Sequence, residues 1–125
     1  MSQDGNGRTP WPTDIEVDRA AKTLAIAFDD GRRFVFSAEF LRVHSPSAEV
    51  QGHSPEDRKT VPGKAGVGIV GLEEVGTYAV RIIFDDLHDS GLYTWADLRR
   101  LGVEQEALWA AYLCDLREQG LSRDP

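Results

Sequence analysis

Apolar and polar positions alternate through the first third of the chain. Ile15 and Val17, then Leu24, Ile26 and Phe28, then Phe34 and Phe36 recur at a spacing of two. That period sends successive side chains to opposite faces of a strand. Residues 18–22 separate the first two runs as a turn. Asp29-Asp30-Gly31-Arg32 separates the next two, and Asp-Gly between apolar runs signals a hairpin, because glycine tolerates a positive φ. Ser37 then reads as the N-cap of a short helix that begins Ala38-Glu39-Phe40-Leu41.

The pattern resumes at Val67-Gly68-Ile69-Val70-Gly71-Leu72 and runs on through Tyr78-Ala79-Val80-Arg81-Ile82-Ile83-Phe84. Tyr78, Val80, Ile82 and Phe84 fall on one face of that strand, with Ala79, Arg81 and Ile83 on the other. Gly91-Leu92-Tyr93 reads as a short strand. Thr94 is placed to cap a helix whose Trp95, Leu98 and Leu101 share a face and which Gly102 ends. From Val103 the period changes to that of a helix. Leu108, Trp109, Tyr112, Leu113 and Leu116 form a broad stripe, and Gly120 closes it. These elements predict an α+β fold: a small, mainly antiparallel sheet, a short helix after the third strand, and C-terminal helices. Residues 1–12 read as a disordered leader, 13–102 as the domain, 103–120 as its C-terminal helix and 121–125 as a frayed tail. The polar stretch 45–65, with Pro46, Pro55 and Pro62, is long for a small domain and marks a mobile or functional segment.

Composition narrows the partners. The chain has 125 residues and a net charge of −7, and its two arginine pairs, Arg32-Arg33 and Arg99-Arg100, make no basic stripe. No nucleic-acid partner is expected of such a chain. Cys114 is the single cysteine, so neither an intrachain disulfide nor a cysteine metal cluster is available, which favours a reducing, cytoplasmic setting. No apolar run is long enough to span a membrane.

Candidate chemistry is sparse. His44, His53 and His88 match no standard metal spacing, although His44, His88 and Asp89 would satisfy the arithmetic of a two-histidine, one-carboxylate iron site. The alternative is three ordinary surface or loop histidines. Cys114 falls among apolar neighbours in a helix, where cysteine behaves as a small hydrophobe. No serine carries an elbow motif, and Gly63-Lys64-Ala65-Gly66-Val67-Gly68 lacks the ending and the following helix of a phosphate loop. No catalytic residue is assigned. The best candidate is the acidic turn Asp85, Asp86, Leu87, His88, Asp89, Ser90 and Gly91, followed by Tyr93 and Trp95. Three carboxylates near one histidine favour its cation. The turn is read either as a structural device or as a ligand or partner site.

Three blocks carry a resemblance: Leu41-Arg42-Val43-His44-Ser45-Pro46-Ser47-Ala48-Glu49-Val50, Val75-Gly76-Thr77-Tyr78-Ala79-Val80-Arg81, and the stretch from Asp85 to Trp95. Together they resemble the gamma-butyrobetaine hydroxylase-like N-terminal domain family, a domain of unknown function. The resemblance implies a domain found alone in bacteria, fused ahead of iron- and 2-oxoglutarate-dependent dioxygenases, or attached to iron–sulfur carrier ATPases of the Mrp type. Beside a dioxygenase it carries zinc on a Cys-x-Cys-x-x-Cys segment and a downstream histidine. The matching positions here are Ser45, Ser47, Val50 and His88. Serine is a poor zinc ligand and valine is none, so the resemblance implies an absent or replaced site, with His44 and His53 as the residues that would rebuild one around His88. A chain of 125 residues leaves no room for the dioxygenase domain. The expected function is a stand-alone, non-catalytic interaction or accessory module with a protein partner and no cofactor. It would serve iron–sulfur or cofactor-handling proteins or a separate oxygenase. The alternatives are a small zinc- or iron-binding protein or oxidoreductase component using His88, and a small-ligand-binding domain with 45–65 as its lid.

Overall fold

In the computed structural model, residues 10–51 and 59–125 are described. Most of the leader expected over 1–12, together with His53, lies outside them. The first alternating runs become β1 (Pro12–Asp18), β2 (Thr23–Phe28) and β3 (Arg33–Ser37), an antiparallel sheet in the order β1-β2-β3. Its register pairs Leu24 with Phe36 and Ile26 with Phe34. All four side chains face inward and are buried, while Arg33, Val35 and Ser37 face out. Gly31 takes φ 87° in the β2–β3 turn, the conformation that Asp-Gly supplies.

Ser37 ends β3 and caps α1 (Ala38–Val43), its hydroxyl accepting from the Phe40 N–H at 3.0 Å. A single turn, α2 (Ala48–Gln51), follows. β4 (Ile69–Val75), β5 (Ala79–Phe84) and β6 (Leu92–Thr94) make a second antiparallel sheet in the order β4-β5-β6. The α+β class holds, with the strands divided over two three-stranded sheets. Val80, Ile82 and Phe84 line the inner face of β5, but Tyr78 precedes the strand and is exposed.

Thr94 caps α3 (Trp95–Val103) in a reciprocal box. Its hydroxyl accepts from the Asp97 N–H, and the Asp97 carboxylate accepts from the Thr94 N–H. Gly102 does not end this helix. It lies inside it, where an added Cβ would sit 2.5 Å from the Phe34 ring, so glycine here serves the close approach of α3 to β3. The chain turns at Glu104 into α4 (Gln105–Glu118), which ends as expected at Gly120. The Gly120 N–H donates to the Arg117 carbonyl, and the Leu121 N–H to that of Leu116. Cys114 is exposed on α4 beside Glu118, whose charge raises the thiol pKa; it is not the buried hydrophobe its neighbours suggest.

Both sheets feed one core. Leu24, Ile26, Phe34 and Phe36 from the first meet Val80, Ile82, Phe84 and Tyr93 from the second, with Phe40 and Leu41 of α1 and Leu98 and Leu101 of α3. A smaller cluster of Val43, Tyr112 and Leu116 seats α4. Residues 121–125, read from the sequence as a frayed tail, make specific contacts. The Gly63 and Ala65 N–H groups donate to the Ser122 and Arg123 carbonyls, and Arg123 pairs with Glu39 through two hydrogen bonds. No helix among the described residues is long and apolar enough to cross a membrane.

Candidate functional site

The acidic turn closes tightly at the end of β5. The Leu87 N–H donates to the Phe84 carbonyl at 3.2 Å, and the Phe84 N–H to the His88 carbonyl at 3.0 Å. The reversal forces Leu87 to φ 72°, a conformation that branched and bulky side chains rarely adopt, yet its side chain is 91% exposed. Its neighbour His88 turns inward and is buried.

His88 meets the segment that follows α1. Its Nε2 shares a 2.9 Å hydrogen bond with Ser45 Oγ, which also accepts from the Ser47 N–H at 3.2 Å. Ser47 Oγ and Ser90 Oγ share a bond of 2.8 Å. Gln51 Nε2 donates to the Ser45 carbonyl, fixing the single turn of α2 over the pair, and Val50 is buried beside it in sequence. Gly91 is required here: a Cβ would fall 2.4 Å from Ser45 Oγ. The structure therefore brings Ser45, Ser47, Ser90 and His88 together. A small polar network joins the two segments at the positions of the cysteine–histidine pattern.

The acids do different work from one another. Asp86 accepts from the His88 N–H at 3.1 Å, from Arg42 Nε at 2.8 Å and from Lys64 Nζ at 2.6 Å. Burial opposes its charge, but Lys64, the His88 N–H and Arg42 together outweigh that penalty and hold its pKa at about 2. One carboxylate thus ties α1, the 59–65 segment and the turn together. Arg42 Nη1 is buried without a hydrogen-bond partner. Asp85 and Asp89 are exposed. Arg42, Ser47, Asp86, Leu87 and His88 line part of a depression of about 650 Å³.

Other candidates fall elsewhere. His44 packs its ring 4.5 Å from that of Phe40 and binds the Phe40 carbonyl through Nδ1. His53 lies outside the described residues. Among the described residues, no three His, Cys, Asp or Glu side chains are grouped to hold a metal ion. Tyr93 cannot be a contact residue, because it is completely buried, its hydroxyl donating to the Leu41 carbonyl. Burial raises its pKa and keeps it a neutral donor beneath the site. Trp95 is half-buried, edge-on to Trp11, with its indole N–H on the Thr77 carbonyl. Arg42, Lys64 and Gln51 were not singled out as site residues from the sequence, and Leu87 was named only as part of the turn. The only signal for Arg42 and Lys64 was their charge, since Asp86 lies 44 and 22 residues away.

This arrangement lies within a recognised unit. Residues 15–99 match the family model described as gamma-butyrobetaine hydroxylase-like, N-terminal. The chain belongs to this family. Similar solved structures include two determined in solution by NMR. One is 47% identical with a TM-score of 0.82, covering 94% of this chain and 93% of that one. The other is 43% identical with a TM-score of 0.81, covering 100% and 92%. A crystal structure from Acidithiobacillus ferrooxidans, of a protein with unknown function in the DUF971 family, is 33% identical with a TM-score of 0.61, covering 73% of this chain and 91% of that one. No curated protein matches the chain. The gamma-butyrobetaine hydroxylase-like N-terminal match runs from β1 into α3, so the Ser45–His88 network lies wholly inside the family's domain, whereas α4 and the 121–125 segment lie beyond it.

Proposed function

We propose that this chain is a non-catalytic protein-interaction module that docks through the turn at 85–91. Leu87 carries the reading. It is 91% exposed at φ 72°, on a turn clamped by the Asp86 ion pairs and the Ser45–His88 bond. Leucine in the left-handed region costs about 1–2 kcal/mol, and no described residue offsets that by burying the side chain. A rigid base that presents an apolar tip among exposed carboxylates suits a partner with a small apolar pocket and a basic rim. The polar groups beneath are engaged in holding the turn, which supports a scaffold role for them.

The family's occurrence beside iron–sulfur carrier ATPases and oxygenases favours a partner that handles iron–sulfur or other cofactors. The lone cysteine supports a reducing, cytoplasmic setting. The test compares wild type with Leu87→Asn, which suits a positive φ, as baits in native extract, followed by direct titration of any protein recovered. Wild type should retain a partner that Leu87→Asn loses while melting no lower. Equal recovery by both defeats the reading. Stoichiometric zinc or iron in protein purified without a histidine tag, lost on His88→Ala, would replace it with a metal-binding role.

A further inference from the structure

A second cluster of paired groups lies where α1, α4 and residues 63–65 meet. Glu39 is buried at 5% exposure near the start of α1. Arg123 Nε and Nη2 donate to its two oxygens at 2.8 and 2.7 Å, the two-pronged geometry that guanidinium and carboxylate share. The guanidinium also lies 5.3 Å from the Trp109 ring centroid. Main-chain bonds from the Gly63 and Ala65 N–H groups to the Ser122 and Arg123 carbonyls, 2.9 and 3.0 Å long, tie the same segment to residues 63–65, and it bends at Arg123.

Main-chain bonds for affinity and a side-chain box for specificity are elements by which proteins bind peptide segments. The receptor and its occupant differ in exposure. Glu39's side chain is 6% exposed and Arg123's is 45%. Gly120, at φ 67°, separates the occupant from α4. Glu39, Trp109 and Arg123 line a cavity of about 800 Å³ that Val103, Gln105 and Glu106 also line, so the box has room and negative charge beyond the one arginine.

We propose that Glu39, Trp109 and the main chain of residues 63–65 form a receptor for an arginine-bearing peptide segment. Residues 122–123 of the chain occupy it as a displaceable internal ligand, and an arginine-bearing segment of a partner protein takes the same seat. A buried carboxylate stays costly without a cation, so the chain's own arginine guards the site until a competing arginine replaces it. This surface differs from the Leu87 turn, although Lys64, between Gly63 and Ala65, also pairs with Asp86 of that turn.

The test uses full-length Arg123→Ala and an acetylated peptide of residues 119–125, Gln-Gly-Leu-Ser-Arg-Asp-Pro, titrated by calorimetry. The variant should bind one peptide. Wild type should bind it about tenfold or more weakly, because its own arginine fills the box most of the time. Adding Glu39→Gln, or placing leucine at the peptide's arginine, should abolish binding. A folded Arg123→Ala that binds no peptide overturns the proposal, as does equal binding to variant and wild type. Amide exchange in wild type gives a second measurement should Arg123→Ala not fold. Gly63 and Ala65 should exchange together and faster than the amides of β2 and β5. Exchange at the core rate would show a segment released only by global unfolding, and would overturn the proposal too.

Discussion

Gly91→Ala tests the network beneath the turn most directly. The new Cβ would fall 2.4 Å from Ser45 Oγ, 3.3 Å from the Tyr93 ring and 3.5 Å from Pro46. Tyr93 is completely buried and anchored on Leu41, so it cannot retreat. Ser45 must move, and its 2.9 Å bond to His88 must lengthen or break. Overpacking of this kind costs about 1–3 kcal/mol. A buried ring nitrogen left without its partner adds roughly 1–3 kcal/mol. The expected loss is therefore about 2–6 kcal/mol, on the order of 10 °C or more in melting temperature for a domain of this size. Thermal and urea unfolding of Gly91→Ala, Ser45→Ala and the double variant form a cycle. Ser45→Ala removes the clashing oxygen, so the double variant should be more stable than the sum of the two single losses. Strict additivity, or a Gly91→Ala protein that melts like wild type, refutes the geometry.

Further outcomes follow from the same site. Asp86 is held at about 2 against an ordinary 3.8, so its folded pKa is depressed and its contribution is present above the unfolded value. About 2 kcal/mol should be lost as pH falls from about 4 to about 2, and Asp86→Asn should flatten urea-derived stability in that window while lowering it at pH 7. Asp30, lowered to about 2 by its bonds to Arg99, titrates in the same range, and subtracting the variant separates the two. Leu87→Asn should raise stability by up to about 1 kcal/mol in urea melts, by relieving the positive φ; a clear loss would mean that Leu87 packs against the fold. Ser45→Cys, Ser47→Cys and Val50→Cys together should bind one zinc with His88 as fourth ligand, read by cobalt absorption. EDTA should leave the melting of wild type unchanged and lower that of the triple variant. A folded triple variant without zinc would show that these positions do not converge.

Local features were legible and distant ones were not. Ser37 and Thr94 announce helix starts because a cap and its N–H lie three residues apart. Asp30-Gly31 announces its turn for the same reason. Gly102 misled, because a glycine near the end of an apolar stripe looks like a terminator. Its actual reason is the Phe34 ring, 68 residues earlier in the sequence. Alternation gave the inner faces of β2 and β3, yet period two cannot say which strands pair, so the division into two sheets was hidden. The same limit hid Tyr93, whose aromatic character suits a surface contact and a core equally well. The Asp86 and Glu39 ion pairs join residues 22 to 84 positions apart, and single charges announce no partner.

The shared core carries a consequence for how the chain is assembled. A three-stranded sheet of three- to seven-residue strands is small, and each sheet here keeps its apolar face covered by the other sheet and the helices. The first sheet with α1 supplies one wall, and the second sheet with α3 supplies the other. Energetically the molecule resembles two complementary subunits joined by a covalent tether. The covalent connection raises the local concentration of one half for the other, as a linker does between two binding partners. The cooperative unit is therefore the pair of sheets, and neither sheet has a core of its own to fold around.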